Sequence, residues 1–191
     1  MKPTTEVHAY LAGPDVFFPN PVQIGADKKA ALAKVGIVGH YPFDNEIPKE
    51  AFADPHAAAN LIAEKNEQMM TGCCKDGQVG IILVNMTPFR GPSMDTGTAF
   101  ETGFMSALAE LKDNVIIIGY TDNQQTYEQR VIDQVYGGEQ NITRKDGMLF
   151  GPDGKMIESF GARENLMLPH AIEKTGGKIV NSFEEAVALA R

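Results

Sequence analysis

Residues 85–104 constrain the fold of this chain more than any other stretch, because a polar loop there separates a buried strand from a helix. The loop is rich in glycine, proline and serine and follows an apolar run at residues 79–84, which is typical of a buried strand. It leads into residues 99–111, where apolar side chains recur at helical spacing. The stretch therefore predicts a strand end, a loop and a helix start close together in space.

Two carboxylates in this stretch, Asp95 and Glu101, are candidates for a functional site. In an open parallel α/β sheet, ligands bind outside the carboxyl ends of the strands, which is where this loop is expected to lie. Glycine and serine let backbone N–H groups approach a polar ligand at a helix N-terminus. A helix that starts near Thr96 places Glu101 beside the loop, so both acids are expected to face one pocket.

A plainer interpretation is that Asp95 only caps the helix and that Glu101 is a solvated surface acid, since Asp is a favoured cap residue. Against it, Glu101 lies between Phe100 and Phe104, and large apolar neighbours are not typical of a wet helix face. The residues alone leave both interpretations open.

The composition is that of one globular domain, because 191 residues with 43% apolar content are enough for a full core. A net charge of −8 without a cluster of Lys and Arg argues against a surface that binds nucleic acid. The first residues lack the apolar core of a signal peptide, and no stretch approaches the length of a membrane span. Cys73 and Cys74 are adjacent, which predicts reduced thiols at a helix end and a cytoplasmic protein.

Strand and helix patterns alternate along the chain, which predicts a parallel sheet with right-handed crossovers. The predicted strands are residues 7–13, 37–41, 78–86, 115–120 and 178–180. Predicted helices cover residues 22–34, 99–111 and 165–174, a long segment that begins at Asp54 and ends near Gly72, and a final segment capped by Ser182. In the first helix, the inward positions are expected to be Ala30, Leu32, Ala33 and Val35. We therefore predict a flavodoxin-like or Rossmann-like three-layer domain, with a central five-stranded parallel sheet, over residues 1–191.

Residues 121–163 interrupt this alternation and are predicted to be an insertion. Residues 124–136 favour a helix, and residues 146–157 favour a hairpin or a paired loop. Insertions of this length in a compact domain are usually functional, so a lid or an oligomer contact is expected here.

Polar loops also follow the first two strands, and they carry fewer clear candidates. Asp44 lies in such a loop as a possible ligand contact, although Asp is also a common turn residue, and taken alone the turn is favoured. The histidines share no metal-ligand spacing, and no Gly-x-Gly-x-x-Gly or P-loop pattern occurs. No metal and no cofactor is therefore expected.

Four segments of the chain resemble the nucleoside 2-deoxyribosyltransferase family, whose members move 2-deoxyribose from one nucleobase to another. The segments are residues 10–14 with Phe17, residues 42–45, residues 85–103 and residues 165–167. They come in the family's order and span most of the chain. The central segment, with its Asp-x-Gly-Thr-x-x-Glu pattern, is the most specific of them.

The resemblance implies a role for each matching residue. Glu101 is implied as the nucleophile, Asp95 as the anchor of the sugar 5′-hydroxyl and Tyr10 as the group that holds the nucleophile. The remaining substrate-binding positions implied are Gly13, Phe17, Asp44, Asn66, Asn165 and Met167. In the family the counterpart of Asn165 acts across a subunit interface, with Met167 near the base. For the group on the base side, Asn66 and the nearest acid, Asp76, both stay open.

The implied activity is transfer of 2-deoxyribose between nucleobases through a covalent glycosyl-Glu intermediate, with retention of configuration. The implied partners are 2-deoxyribonucleosides, free nucleobases and further copies of the chain in a homo-oligomer. One alternative is an N-glycosidase of the same superfamily that hydrolyses deoxynucleoside 5′-monophosphates, although the charge of Asp95 is unfavourable for a phosphate. Another is a nucleotide-binding module without catalysis. The sequence fixes neither purine nor pyrimidine preference.

Overall fold

The computed structural model of the protein describes residues 6–75 and 78–191. The strands are β1 (Val7–Ala12), β2 (Ile37–His40), β3 (Val79–Asn85), β4 (Val115–Tyr120), β5 (Thr143–Lys145), β6 (Met148–Phe150), β7 (Met156–Ile157) and β8 (Ile179–Val180). The helices are α1 (Pro21–Ala33), α2 (Pro55–Cys73), α3 (Thr96–Leu111), α4 (Tyr127–Gln134), α5 (Met167–Glu173) and α6 (Phe183–Leu189).

The central sheet has five parallel strands in the order β2-β1-β3-β4-β8, which confirms the predicted flavodoxin-like arrangement. Because all five strands are parallel, their carboxyl ends lie at one edge of the sheet. The direction of winding changes between β1 and β3, and ligand sites in such sheets lie at this switch point. The loops after β1 and β3, which carry two of the four segments that resemble the family, therefore meet where a ligand site is expected.

Alternation along β1 sends successive side chains to opposite faces of the sheet, and each face has its own apolar core. Tyr10 packs with Met70 of α2 and Met105 of α3 in one core. Leu11 packs with Leu32 of α1 on the other face, where α6 also contributes. The molecule therefore has three layers, with the sheet between two layers of helices.

Helix boundaries follow the predicted cap residues more closely than the predicted apolar pattern. Asp54 caps α2 by accepting from the backbone N–H groups of His56 and Ala57. The same helix continues through Gly72 to Cys73, beyond its predicted end. In α1, Leu32 is buried, but Ala30 and Ala33 are exposed, so their predicted inward orientation is wrong.

The predicted insertion contains α4 and a separate antiparallel sheet in the order β5-β6-β7. Pairing of Leu149 with Ile157 forms the expected hairpin, and β5 adds a third strand to it. Cys73 and Cys74 are buried, free thiols near the end of α2. Within the described ranges, no helix is long and apolar enough to cross a membrane.

Candidate active site

Tyr10 and Glu101 form the centre of the candidate site at the switch point. Tyr10 is fully buried on β1, and its side chain points toward the core between the sheet, α2 and α3. Glu101 lies one turn into α3, so the loop after β3 brings it back over β1. The hydroxyl of Tyr10 donates a hydrogen bond of 2.5 Å to Oε1 of Glu101. One oxygen of the carboxylate is thereby fixed in position.

Burial raises the pKa of Glu101 from its ordinary value of 4.5 to about 7. The charge of Asp95 raises it further, whereas the hydrogen bond from Tyr10 opposes the shift. Burial is the main cause that holds the pKa of Tyr10 well above its usual range, and the charge of Glu101 is the next largest. Tyr10 therefore stays protonated at neutral pH and acts as a donor, while Glu101 changes charge near neutrality.

Asp95 is the N-cap of α3, as the plainer interpretation of the sequence expected. Its Oδ2 accepts from the backbone N–H of Thr98 at 2.9 Å and from the Thr98 hydroxyl at 3.0 Å. The same residue lies close enough to Glu101 for its charge to raise the pKa of that acid. The cap and the candidate site therefore share one carboxylate, whereas the solvated Glu101 of the plainer interpretation does not match its partial burial and its hydrogen bond from Tyr10.

The loop between β3 and α3 is held to the loop after β1 by aromatic contacts. The ring of Phe17 stacks on that of Phe89 with centroids 5.5 Å apart. The guanidinium of Arg90 lies over both rings, 4.6 Å from the centroid of Phe89 and 5.2 Å from that of Phe17. Because 56% of Phe17 remains exposed, its ring is available for further stacking at this edge of the sheet.

Gly13 provides a close approach between the ends of β1 and β3. A Cβ at this position would lie 2.7 Å from Cβ of Asn85 and 2.8 Å from Oδ2 of Asp15. A larger residue at this position would therefore force Asn85 or Asp15 to move. This close approach is a steric reason for glycine at this position of the segment at residues 10–14.

Asp44 is held within a local turn. Its Oδ2 accepts from the backbone N–H of Tyr41 at 2.9 Å, and its Oδ1 pairs with Lys29. The turn interpretation of Asp44 therefore describes its local contacts, and the structure brings it to Lys29 rather than to Glu101.

Asn66 joins the polar loop after β2 to α2. Its side-chain oxygen accepts from the amide of Asn45 at 2.8 Å, so α2 is joined here to the segment of residues 42–45. The sequence did not indicate this hydrogen bond between Asn45 and Asn66. Asp76, the other candidate for the base side, lies outside the described residues.

Asn165 and Met167 lie at the start of α5. The amide of Asn165 donates to Glu158 at 2.6 Å, and its oxygen accepts from the backbone N–H of Met167 at 3.2 Å. Met167 is 63% exposed and lines a groove of about 290 Å³ with Ala99 of α3. Among the described residues, no hydrogen bond joins Asn165 to Tyr10, Asp95 or Glu101.

Several wholly or largely buried polar residues were not found from the sequence. Lys28 of α1 contacts Asp15 at 2.6 Å and the hydroxyl of Tyr120 at 2.7 Å on the opposite face of the sheet. Arg130 and Glu164, each 1% exposed, form an ion pair beside the loop after β3. A position after a strand is the signal that favours Asp15, but no local pattern marks Arg130 or Glu164 as buried.

The fold and the site define an α/β protein with two neighbouring carboxylates at the switch point of a flavodoxin-like sheet. The sequence model of the family described as Nucleoside 2-deoxyribosyltransferase matches residues 9–167, which is most of the chain. The protein belongs to this family, as the resemblance of its four segments predicted.

Individual proteins and solved structures are similar to this chain over most of its length. An uncharacterized protein of Schizosaccharomyces pombe is 31% identical over 181 residues, which cover 91% of this chain and 81% of that protein. The structure described as 2-desoxiribosyltransferase from Leishmania mexicana is 27% identical, with a TM-score of 0.65 over 96% of this chain and 95% of the other. A conserved protein from Enterococcus faecalis V583 is 19% identical, with a TM-score of 0.55 over 97% of this chain and 98% of its own, and shares the fold.

Proposed function

We propose that the protein transfers 2-deoxyribose from one nucleobase to another through a covalent bond between C1′ of the sugar and Glu101. The observation that carries the proposal is the hydrogen bond of 2.5 Å from Tyr10 to Glu101, beside Asp95, in a member of this family. A buried tyrosine that holds one carboxylate oxygen leaves the other oxygen to react. Membership of the family supports the class of reaction.

In the first step, the free oxygen of Glu101 attacks C1′ as the bond from C1′ to the base nitrogen breaks. The reaction passes through a state with oxocarbenium character, which a neighbouring carboxylate stabilises, as in retaining glycosidases. The electron pair of the broken bond leaves with the base. A second base then attacks C1′ and releases Glu101, so two inversions give retention of configuration. Asn66 and Asp76 are the candidates for contact with the base.

Asp95 anchors the sugar in this proposal. Its Oδ2 accepts two hydrogen bonds from Thr98 within the cap, which orients the carboxylate. The carboxylate then accepts a hydrogen bond from the 5′-hydroxyl of the sugar. A charged acceptor favours a free hydroxyl and repels a 5′-phosphate, so deoxyribonucleosides rather than their monophosphates are the proposed substrates.

The remaining contacts are assigned by position at the same edge of the sheet. Phe17 offers an exposed ring for stacking, and Gly13 allows the close approach of β1 and β3 on which the pocket depends. Asp44 and Asn66 belong to the loop after β2 and its partner helix. Asn165 and Met167 complete the site of a neighbouring subunit in a homo-oligomer.

The test is a panel of deoxyribonucleosides incubated with different free bases, with products separated by chromatography. We expect new deoxyribonucleosides in the presence of an acceptor base, with little activity on deoxynucleoside 5′-monophosphates. Hydrolysis of the monophosphates, with no exchange of bases, would contradict the proposal and favour the N-glycosidase. Absence of both reactions would favour a binding module.

A further inference from the structure

The buried ion pair between Arg130 and Glu164 connects the two parts of the chain that carry Asp95 and Asn165. Nη2 of Arg130 lies 3.2 Å from Oε2 of Glu164, and both side chains are 1% exposed. Arg130 comes from α4 in the insertion, and Glu164 precedes α5. The pair therefore joins the insertion to the segment that leads into α5.

Arg130 also donates to three backbone carbonyls. Its Nε donates to Pro92 in the loop before α3 at 2.6 Å. Its Nη1 and Nη2 donate to the carbonyls of Gln125, at 2.8 Å, and Arg163, at 2.6 Å. A planar guanidinium with donors in a fixed geometry sets the relative positions of the groups that it contacts. Arg130 thus fixes the loop before α3 to the start and to the end of the insertion.

Glu164 accepts from the backbone next to Asp95 and from the backbone of Asn165 itself. Its Oε2 accepts from the backbone N–H of Met94 at 2.9 Å, directly before Asp95. Its Oε1 accepts from the backbone N–H of Asn165 at 3.1 Å. One carboxylate therefore determines where the chain enters the cap of α3 and where it enters α5.

Stability alone is a weak explanation for this pair. Burial raises the pKa of Glu164 and lowers that of Arg130, in both cases against the charge of the partner. Buried ion pairs are often replaced by apolar residues of similar size with little loss of stability, because desolvation offsets their attraction. Within the described part of the chain, the side chains of the pair otherwise hydrogen-bond only to the backbone of loops or segment ends, so these contacts set the geometry of the loops.

We propose that Arg130 and Glu164 are positioning residues that hold the carboxylate of Asp95 at the place where it recognises the 5′-hydroxyl of the sugar. This inference rests on the proposed function. Neither residue contacts the substrate; both act through the backbone at Pro92 and Met94. Loss of the pair lets the loop shift, and a misplacement of about 1 Å can cost about a hundredfold in rate.

The experiment compares two substrates, a 2′-deoxyribonucleoside and its 5′-deoxy analogue, which lacks the hydroxyl that Asp95 recognises. The ratio of their kcat/KM values measures recognition of the hydroxyl, and it does not depend on the fraction of folded enzyme. In Glu164→Gln and Arg130→Lys, and in the more disruptive Arg130→Met, we expect this ratio to fall about tenfold, toward its value in Asp95→Ala. The loss is expected mainly in kcat/KM for the substrate that has the hydroxyl.

Arg144→Met is the matched control, because Arg144 forms an exposed ion pair with Glu139 in the same insertion. It is expected to keep the wild-type ratio. Combining Asp95→Ala with Glu164→Gln is expected to lower the ratio no further than Asp95→Ala alone, since both act on one contact.

A wild-type ratio in Glu164→Gln and Arg130→Lys, whether or not their melting temperature falls, would overturn the inference. If wild-type enzyme exchanges bases but these variants keep the ratio, only the inference fails; if wild-type enzyme exchanges no bases, the proposed function fails with it.

Discussion

At the scale of single residues, the properties of the site depend on a partly buried carboxylate whose charge is costly. Burial and the charge of Asp95 raise the pKa of Glu101 to about 7, and only the hydrogen bond from Tyr10 works in the other direction. The proposed nucleophile is the ionised form. At neutral pH, Glu101 is therefore ionised in only a fraction of the enzyme molecules.

This balance predicts the pH dependence of the reaction. We expect kcat/KM to fall as the pH drops below about 7, because protonated Glu101 cannot attack C1′. In Tyr10→Phe the hydrogen bond that favours the carboxylate is lost, so the acid limb is expected to move to higher pH. The measurement is a profile of kcat/KM against pH for both proteins. An acid limb that stays in place, or moves to lower pH, would contradict the assignment of Tyr10 as the donor.

The same shift predicts the sign of a stability change. A folded-state pKa above the ordinary 4.5 means that ionised Glu101 destabilises the fold, increasingly as the pH rises from 4.5 to about 7. Glu101→Gln retains an acceptor for Tyr10 and removes the charge. It is therefore expected to raise the free energy of unfolding at pH 8 by about 1 to 3 kcal/mol, at about 1.4 kcal/mol per pKa unit.

Thermal melts at pH 8 and pH 5 test this prediction, since most of the gain is expected to disappear at pH 5. Glu110→Gln serves as the control, because Glu110 lies exposed on the same helix and pairs with Lys174. It is expected to show no gain at pH 8. Equal stability of Glu101→Gln and wild type at pH 8 would mean that the buried charge of Glu101 does not destabilise the fold.

Sequence reasoning at this scale found residues with a local signal and missed those without one. Asp95 and Glu101 follow a strand and lie at the start of a helix, so their position made them candidates, while the residues alone left a solvated Glu101 open as well. Arg130 and Glu164 come from an irregular segment, where nothing in the local pattern separates a buried charge from a solvated one. Their burial depends on contacts with Pro92 and Met94, which are distant in sequence.

At the scale of secondary structure elements, the strands were predictable because uninterrupted apolar runs are typical of parallel strands that are covered on both faces. The orientation of α1 was not, since alanines such as Ala30 and Ala33 are compatible with either face of a helix. The loop after β3 and the start of α3 carry Asp95 and Glu101, so in the proposed function the cap at Asp95 couples the stability of that helix to recognition of the sugar.

Two substitutions at Asp95 separate the cap from the substrate contact. Asp95→Asn keeps a side-chain oxygen for Thr98, so we expect nearly unchanged stability and about a ten- to hundredfold loss of kcat/KM. Asp95→Ala loses both functions and is expected to be less stable by about 1 kcal/mol. Melting temperatures and kcat/KM are measured for both.

Asp54→Ala is the control for this comparison, since Asp54 caps α2 in the same way. It is expected to lose similar stability while kcat/KM stays close to that of wild type. Full activity of Asp95→Asn would show that Asp95 serves only as a cap.

At the scale of the whole molecule, we propose that the start of α5 contributes to the site of a neighbouring subunit. Asn165 is bound within its own chain to Glu158, and Met167 next to it is largely exposed beside the groove with Ala99. Closed two-fold interfaces are the commonest arrangement, so a dimer or an assembly of dimers is expected.

Mixing two inactive variants, Glu101→Ala and Asn165→Ala, under conditions of subunit exchange tests this arrangement. If Asn165 acts in the neighbour's site, each mixed interface has one site with both changes and one with neither, so activity is expected to return. As the control, each variant is taken through the same subunit exchange on its own. No recovery, once subunit exchange is demonstrated, would place Asn165 in the site of its own chain or outside any site.

The central claim, that Glu101 becomes bonded to C1′, is tested most directly by mass spectrometry of the protein after incubation with a 2′-fluoro-substituted deoxynucleoside. Fluorine at C2′ slows the second step by destabilising the cationic state, so the glycosyl-enzyme is expected to accumulate. The account predicts one added fluorosugar per chain, located on the peptide that contains Glu101 and absent from Glu101→Gln. An adduct on a different residue, or none in an enzyme that exchanges bases and binds the analogue, would contradict it.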